Sequence, residues 1–141
     1  MNISKFTQKS IQAVQDLEKV AYEYGNQEVE QEHLLYALLS QEDSLILKLI
    51  DKMEINKEYF VNTVKKALDA RVKVSGGDLR FGQYLNKSLV SAEDEARAMG
   101  DEYVSVEHLF LSLLKQPSPS MKKILMNLES PENASFRRFP Q

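Results

Sequence analysis

The sequence predicts an all-α domain of eight helices, built as two pseudo-symmetric four-helix repeats. Three observations carry that prediction. Apolar residues recur at spacings of three and four along most of the 141-residue chain, the stripe of amphipathic helices. No stretch shows the period-2 alternation of a half-buried strand. A single offset of 75 residues also aligns Phe6 to Met53 with Phe81 to Leu128 without a gap, with thirteen identities where ordinary composition would give roughly three. The contiguous Glu32-His33-Leu34, repeated as Glu107-His108-Leu109, argues against coincidence. The chain therefore reads as one domain over 1–141, with repeat one at 1–70, a linker at 71–80 and repeat two at 81–141.

The first helix starts near Thr7 and carries Ile11, Val14, Leu17, Ala21 and Tyr24 on one stripe. Gly25 and Asn26 end it, since both tolerate the left-handed conformation that terminates helices. Its counterpart carries Leu85, Leu89, Ala92, Ala96 and Met99, followed by Gly100 and Asp101. A second, short helix spans Gln31 to Ser40 and is mirrored by Val106 to Lys115. Leu34, Leu35, Leu38 and Leu39 of the one answer to Leu109, Phe110, Leu113 and Leu114 of the other. So wide an apolar face belongs at the centre of a core. Ser105 is a good N-cap for the later copy, and Glu30 a weaker one for the earlier.

A third helix holds Leu45, Ile46, Leu49, Ile50 and Met53. Ile124, Leu125 and Leu128 match it after Ser118-Pro119, a cap followed by a first-turn proline. The fourth begins at Asn56 and runs through Phe60, Val64, Ala67 and Leu68, and its counterpart is expected to start at Ser130-Pro131-Glu132 and to be cut short by Pro140. Between the copies, Val72 to Asp78 joins β-leaning residues to a Gly76-Gly77 break, which predicts a mobile loop.

Composition narrows the function. Without Cys, disulfide frameworks, Cys-ligated zinc and thiol catalysis are excluded. A formal charge of −3 argues against a chain that coats nucleic acid or an anionic membrane. No apolar run approaches the roughly 18 residues of a membrane span, and Met1 to Thr7 has no signal-peptide core, so the expected location is cytoplasmic. None of the five glycines is followed by Lys, so there is no P-loop, and no Gly-x-Gly-x-x-Gly announces a dinucleotide cofactor. Neither cofactor nor metal is expected in these residues.

His33 and His108 invite a metal or general-base reading, yet neither has a histidine one turn on, and each lies in the first turn of an apolar helix. A hydrogen-bonded structural role is the expectation. Lys65, Lys66, Arg71 and Lys73 gather at the end of the fourth helix, where cations complement the dipole. The Arg137-Arg138 pair is too short to indicate nucleic acid. The acidic loops say more. Gln27 to Glu32 holds three glutamates, Asp101 to Glu107 holds Asp101, Glu102 and Glu107, and neither stretch contains Lys or Arg. A first-turn carboxylate complements the helix dipole, but the loop acids gain nothing from it, so a partner's guanidinium or ammonium is the functional alternative.

Lys5-Phe-Thr-Gln-Lys-Ser, Tyr24-Gly-Asn-Gln-Glu-Val-Glu-Gln-Glu-His-Leu-Leu and Gly100-Asp-Glu-Tyr-Val-Ser-Val-Glu-His-Leu strongly resemble the amino-terminal domain of the Clp AAA+ unfoldases. The likeness covers nearly the whole chain and weakens after Leu128, and it looks most like the disaggregase ClpB, then the protease-associated ClpC. It implies a non-catalytic module that captures unfolded or aggregated polypeptide or adaptor proteins, tethered to ATPase modules that bind ATP and magnesium in a homohexameric parent. In ClpB relatives it implicates Thr7, Asp101 and Glu107 in substrate handling. In ClpC relatives it implies a phosphoarginine site matching Thr7 with Glu32, whereas Gly82, equivalent to Thr7, lacks the hydroxyl for a second site around Glu107. Such a module is expected to make weak, reversible contact through the acidic loops and the apolar seam between repeats, and the alternative class is a stand-alone helical adaptor or scaffold whose halves present an interface to other proteins.

Overall fold

The helices form where caps and apolar stripes place them. The computed structural model describes residues 3–127. After a 3-10 turn at Ile3–Lys5 come α1 (Gln8–Glu23), β1 (Glu28–Val29), α2 (Gln31–Leu39), α3 (Leu45–Lys52), α4 (Lys57–Asp69), β2 (Arg80–Phe81), α5 (Gln83–Ala98), α6 (Val106–Lys115) and α7 (Pro119–Met126). Thr7, Ser44, Asn56 and Ser118 cap α1, α3, α4 and α7 through their side chains, each accepting from the third helical amide. Both long helices end in the same way. Gly25 and Gly100 adopt φ of 70° and 73°, and the amides of Asn26 and Asp101 reach back to the carbonyls of Ala21 and Ala96 at 2.9 and 2.8 Å. This double closure satisfies carbonyls that a helix end would leave bare.

The described residues hold seven α-helices, where the repeat reading expects eight. The starts of α1, α2 and α3 at Gln8, Gln31 and Leu45 recur at Gln83, Val106 and Pro119 in α5, α6 and α7. The expected counterpart of α4, at Ser130-Pro131-Glu132, lies outside the described residues, as does Leu128. No helix among those described is long and apolar enough to cross a membrane.

One feature departs from the strand-free expectation. β1 and β2 pair in parallel, Glu28 beside Arg80 and Val29 beside Phe81, and two-residue strands are too short for an alternation to register. An isolated parallel bridge joins Phe6 to Val104. Under the 75-residue shift this is the same pairing, because Phe6 answers to Phe81 and Val104 to Val29. Each repeat therefore lends the strand before its first helix to the loop of the other. The start of α1 lies against the loop that precedes α6, and the start of α5 against the loop that precedes α2.

The core runs through both repeats without a break. α2 packs on each of the other six described helices, and Leu34, Leu38, Leu109 and Leu113 are buried beside Leu17, Phe60 and Leu85. The apolar seam between repeats, expected from the sequence to contribute to binding, is thus the interior of the molecule. The segment 71–80 is tied to repeat one at its start: Val72 C=O accepts from Asn26 Nδ2 at 3.1 Å, and Val74 N–H donates to Gly25 C=O at 2.8 Å.

Candidate functional site

Each acidic loop is shaped by its histidine. The amide of Glu30 donates to His33 Nδ1, and that of Ser105 to His108 Nδ1, both at 2.9 Å. An Nδ1 that accepts an amide proton carries none itself, so each ring is the neutral tautomer with its proton on Nε2. That proton is donated to Asn26 Oδ1 at 2.9 Å in repeat one and to Asp101 Oδ2 at 2.8 Å in repeat two. The histidine takes the place that Glu or Gln holds in a capping box, and also clamps the helix–loop turn seven residues upstream. Both ring nitrogens are occupied within the chain. Burial pushes the His33 pKa down to about 4, with the charges of Arg71 and Lys73 acting in the same direction.

The two loops differ in what surrounds their first-turn glutamate. Glu32 is buried: its Oε2 accepts from Arg71 Nη1 at 2.8 Å and from Ser120 Oγ at 3.0 Å, and its Oε1 has no hydrogen-bond partner among the described residues. Arg71, read from the sequence as a dipole complement, is thus the guanidinium that this loop attracts, and it also lies 3.7 Å from Glu28. Lys73 does fill the dipole role, donating to Leu68 C=O at 3.1 Å beside the Tyr24 ring. Glu107, the equivalent of Glu32, is exposed and has no hydrogen-bond or ion-pair partner among the described residues.

Thr7 stands at this second, open end. Its amide donates to Val104 C=O at 3.0 Å, its hydroxyl donates to Ser10 Oγ, and Ser10 Oγ passes the chain on to Val104 C=O at 2.8 Å. Asp101, half exposed, spends one oxygen on His108. It also lines a hollow of about 240 Å³ with Glu93, Glu102, Lys5 and Arg97. Ile3 and Tyr103, beside the two partners of the Lys5–Val104 pairing, are 45% and 51% exposed. The structure therefore sets Thr7 against Val104, in the loop that runs from Asp101 to the start of α6, where Glu107 lies, and gives Glu32 a different set of neighbours. Thr7 and Glu32, which the phosphoarginine reading places in one site, share no partner among the described residues.

Sequence reasoning missed three residues that hold these ends. Glu30, expected only as a weak N-cap of α2, places Oε1 at 3.0 Å from the Leu85 amide, and so caps α5 across the repeat boundary. Repeat one does this locally with Thr7, and Gly82 leaves the room: a Cβ there would strike the Glu30 carboxylate. Burial pushes the Glu30 carboxyl pKa up, with the Leu85 amide pulling it back. Gln31, fully buried, bonds Ser88 Oγ, Gln116 C=O and the Ser118 amide at 2.8 to 2.9 Å, all in repeat two. Ser120 supports Glu32. A signal for Glu30 is visible in hindsight: where repeat one has a Thr cap and repeat two a Ser, their partners are Gly82 and Glu30.

Comparison with known proteins places the chain in a family and matches its fold. Residues 5–128 match the model of the Clp repeat (R) N-terminal domain. Chaperone protein ClpB of Nitratidesulfovibrio vulgaris is 42% identical over 126 residues, 86% of this chain and 15% of the relative. The chain thus spans about 15% of the length of such curated relatives. Among solved structures, the Hsp104 N-terminal domain from Candida albicans superposes with a TM-score of 0.79 at 21% identity, covering 89% of this chain and 82% of that one. A ClpV N-domain in complex with a VipB peptide superposes with a TM-score of 0.68 at 19% identity, covering 89% and 83%.

Proposed function

This chain belongs to the Clp repeat N-terminal domain family, and from that premise we propose that it is a non-catalytic recognition domain serving an ATP-dependent chaperone of the ClpB kind. It captures unfolded or aggregated polypeptide, directly or through adaptor proteins, in the cytoplasm. ATP and magnesium are handled by ATPase modules of a hexameric parent, and the eighth helix and the division into repeats at 1–70 and 81–141 complete the domain. The observation that carries the reading is the open end built by Thr7, Asp101 and Glu107. There the exposed carboxylate of Glu107, unpaired among the described residues, follows the loop that carries half-exposed Tyr103, and that loop is bonded to the segment that carries half-exposed Ile3. Such a surface suits extended polypeptide: the apolar side chains receive apolar residues, and the carboxylates select cationic or N–H-rich neighbours. A ClpV N-domain holding a peptide supports the same class of activity. Contact of this kind is weak and reversible.

Titration of a fluorescently labelled unfolded protein tests it. Wild type is expected to bind and Glu107→Ala to bind several-fold more weakly. Equal binding removes Glu107 from the site, and no binding by either variant contradicts a receptor role. The stand-alone scaffold reading is separated by the genomic reading frame: continuation into Gly-x-x-x-x-Gly-Lys-Ser/Thr supports the unfoldase module. The phosphoarginine reading finds less support, because Glu32 is already held by Arg71 and Thr7 by Ser10 and Val104. Free phosphoarginine failing to shift the Thr7 and Glu32 amide resonances would retire it.

A further inference from the structure

The second end of the molecule carries a different chemistry. Where α4 packs on α7, a groove of about 840 Å³ opens between the repeats. Its walls bring Lys65 and Lys66 from α4 to Lys123 from α7, with Arg71 and Glu32 also lining it. All three lysines are exposed, and among the described residues none has an ion-pair partner. Helix dipoles account for each lysine singly, since each lies near its helix's C-terminus. They do not account for two helices from different repeats ending at one groove, in a chain whose net charge is −3.

Nor do they account for Glu32, a groove-lining residue whose side chain is only 1% exposed and whose Oε1 has no hydrogen-bond partner among the described residues. A buried polar atom without a partner costs about 1–3 kcal/mol, so a donor supplied from outside has a standing incentive to reach it. Glu32 is already neutralised by Arg71 and does not cancel the lysines. Among the described residues, the groove thus offers three unpaired cations around one recessed acceptor.

We infer that this groove is a docking site for an acidic segment of a partner protein, whose carboxylates lie on Lys65, Lys66 and Lys123 while one N–H of the segment reaches Glu32 Oε1. Nucleic acid fits the groove less well, since Asp69 shares the walls with the lysines and would repel a phosphate chain. The site is separate from the Thr7–Glu107 end and works independently of it.

The test titrates the whole chain into a short labelled Glu/Ala peptide, with a Lys/Ala peptide and oligothymidylate as comparisons. Binding of the Glu/Ala peptide is expected, weakened roughly tenfold or more by Lys66→Glu combined with Lys123→Glu, and unchanged by Lys87→Glu on exposed α5 surface. In spectra of the wild type, the amides of Glu32 and Lys123 shift as the peptide is added. Both substitutions lie at exposed positions, and a thermal melt checks that the double variant stays folded. Equal affinity of wild type and double variant, tighter binding of oligothymidylate, or shifts confined to the Thr7–Glu107 end each overturn the proposal. Titration of unfolded protein against the double variant reads the other end, so the two sites fail separately.

Discussion

Single residues hold the repeats in register, and the clearest case is Gly82 with Glu30. Because the Gly82 φ of −72° is ordinary, substitution there is resisted by the carboxylate and not by backbone strain. Gly82→Ala is expected to cost about 1–3 kcal/mol in urea denaturation, and Glu30→Ala in the same chain to return part of that loss. A double-mutant cycle with no coupling would contradict the cross-repeat cap. His33 supplies a pH dependence of known sign. Its folded pKa of about 4 lies below the unfolded 6.5, so its contribution is complete above pH 6.5 and is lost as pH falls through 4. Wild type should lose about 2 kcal/mol between pH 7 and pH 5 from this residue, and His33→Gln, which keeps a capping acceptor, should lose less. Glu30 opposes this, because its raised pKa adds stability as pH falls, and it is present in both variants. Both histidines were legible as structural from their first-turn positions. That each clamps an upstream Asn or Asp was not, since a partner seven residues away across a turn leaves no periodic trace.

At the scale of elements, what was legible was whatever carries local chemistry. Thr7, Asn56 and Ser118 announce helix starts, Gly25 and Gly100 announce helix ends, and the observed bounds follow them. The parallel pairs Val29–Phe81 and Phe6–Val104 were not legible, because two residues carry no alternation and their partners lie in the other repeat. Similarity between copies says what is alike, not how the copies are arranged. The arrangement rests in part on Gln31, whose counterpart is Val106, and nothing in a helical pattern marks one buried glutamine as a fastener. Gln31→Met keeps the volume but leaves the Ser118 amide and the Gln116 carbonyl without their partner. The expected cost is about 3 kcal/mol, read by chemical denaturation, and a loss within about 0.5 kcal/mol would contradict the fastening role.

Over the whole molecule, the exchange of strands makes two ends from two similar repeats, and the differences between the copies decide what each end does. The Glu32 end was closed from inside by Arg71 and given lysines. The Glu107 end was left open, with Thr7 and Asp101 beside it. Of the sequence-derived candidates, Thr7 is set against the loop between Asp101 and Glu107 by contacts across the repeat boundary, which a reading along the chain has no means to foresee. Thr7→Ala should lose about 1 kcal/mol of stability through its cap, so its effect on binding has to be read at saturating fold stability. Glu107→Ala should cost no more than about 0.5 kcal/mol, which makes it the cleaner probe. Unfolded polypeptide is proposed to be received at the open end. Residue-by-residue amide shifts during titration with a labelled-free unfolded protein measure that directly. The expected shifts are concentrated at Thr7, Asp101, Tyr103 and Glu107, with the lysine groove unmoved. Shifts centred on Lys66 and Lys123, or none at all at saturating polypeptide, would contradict it.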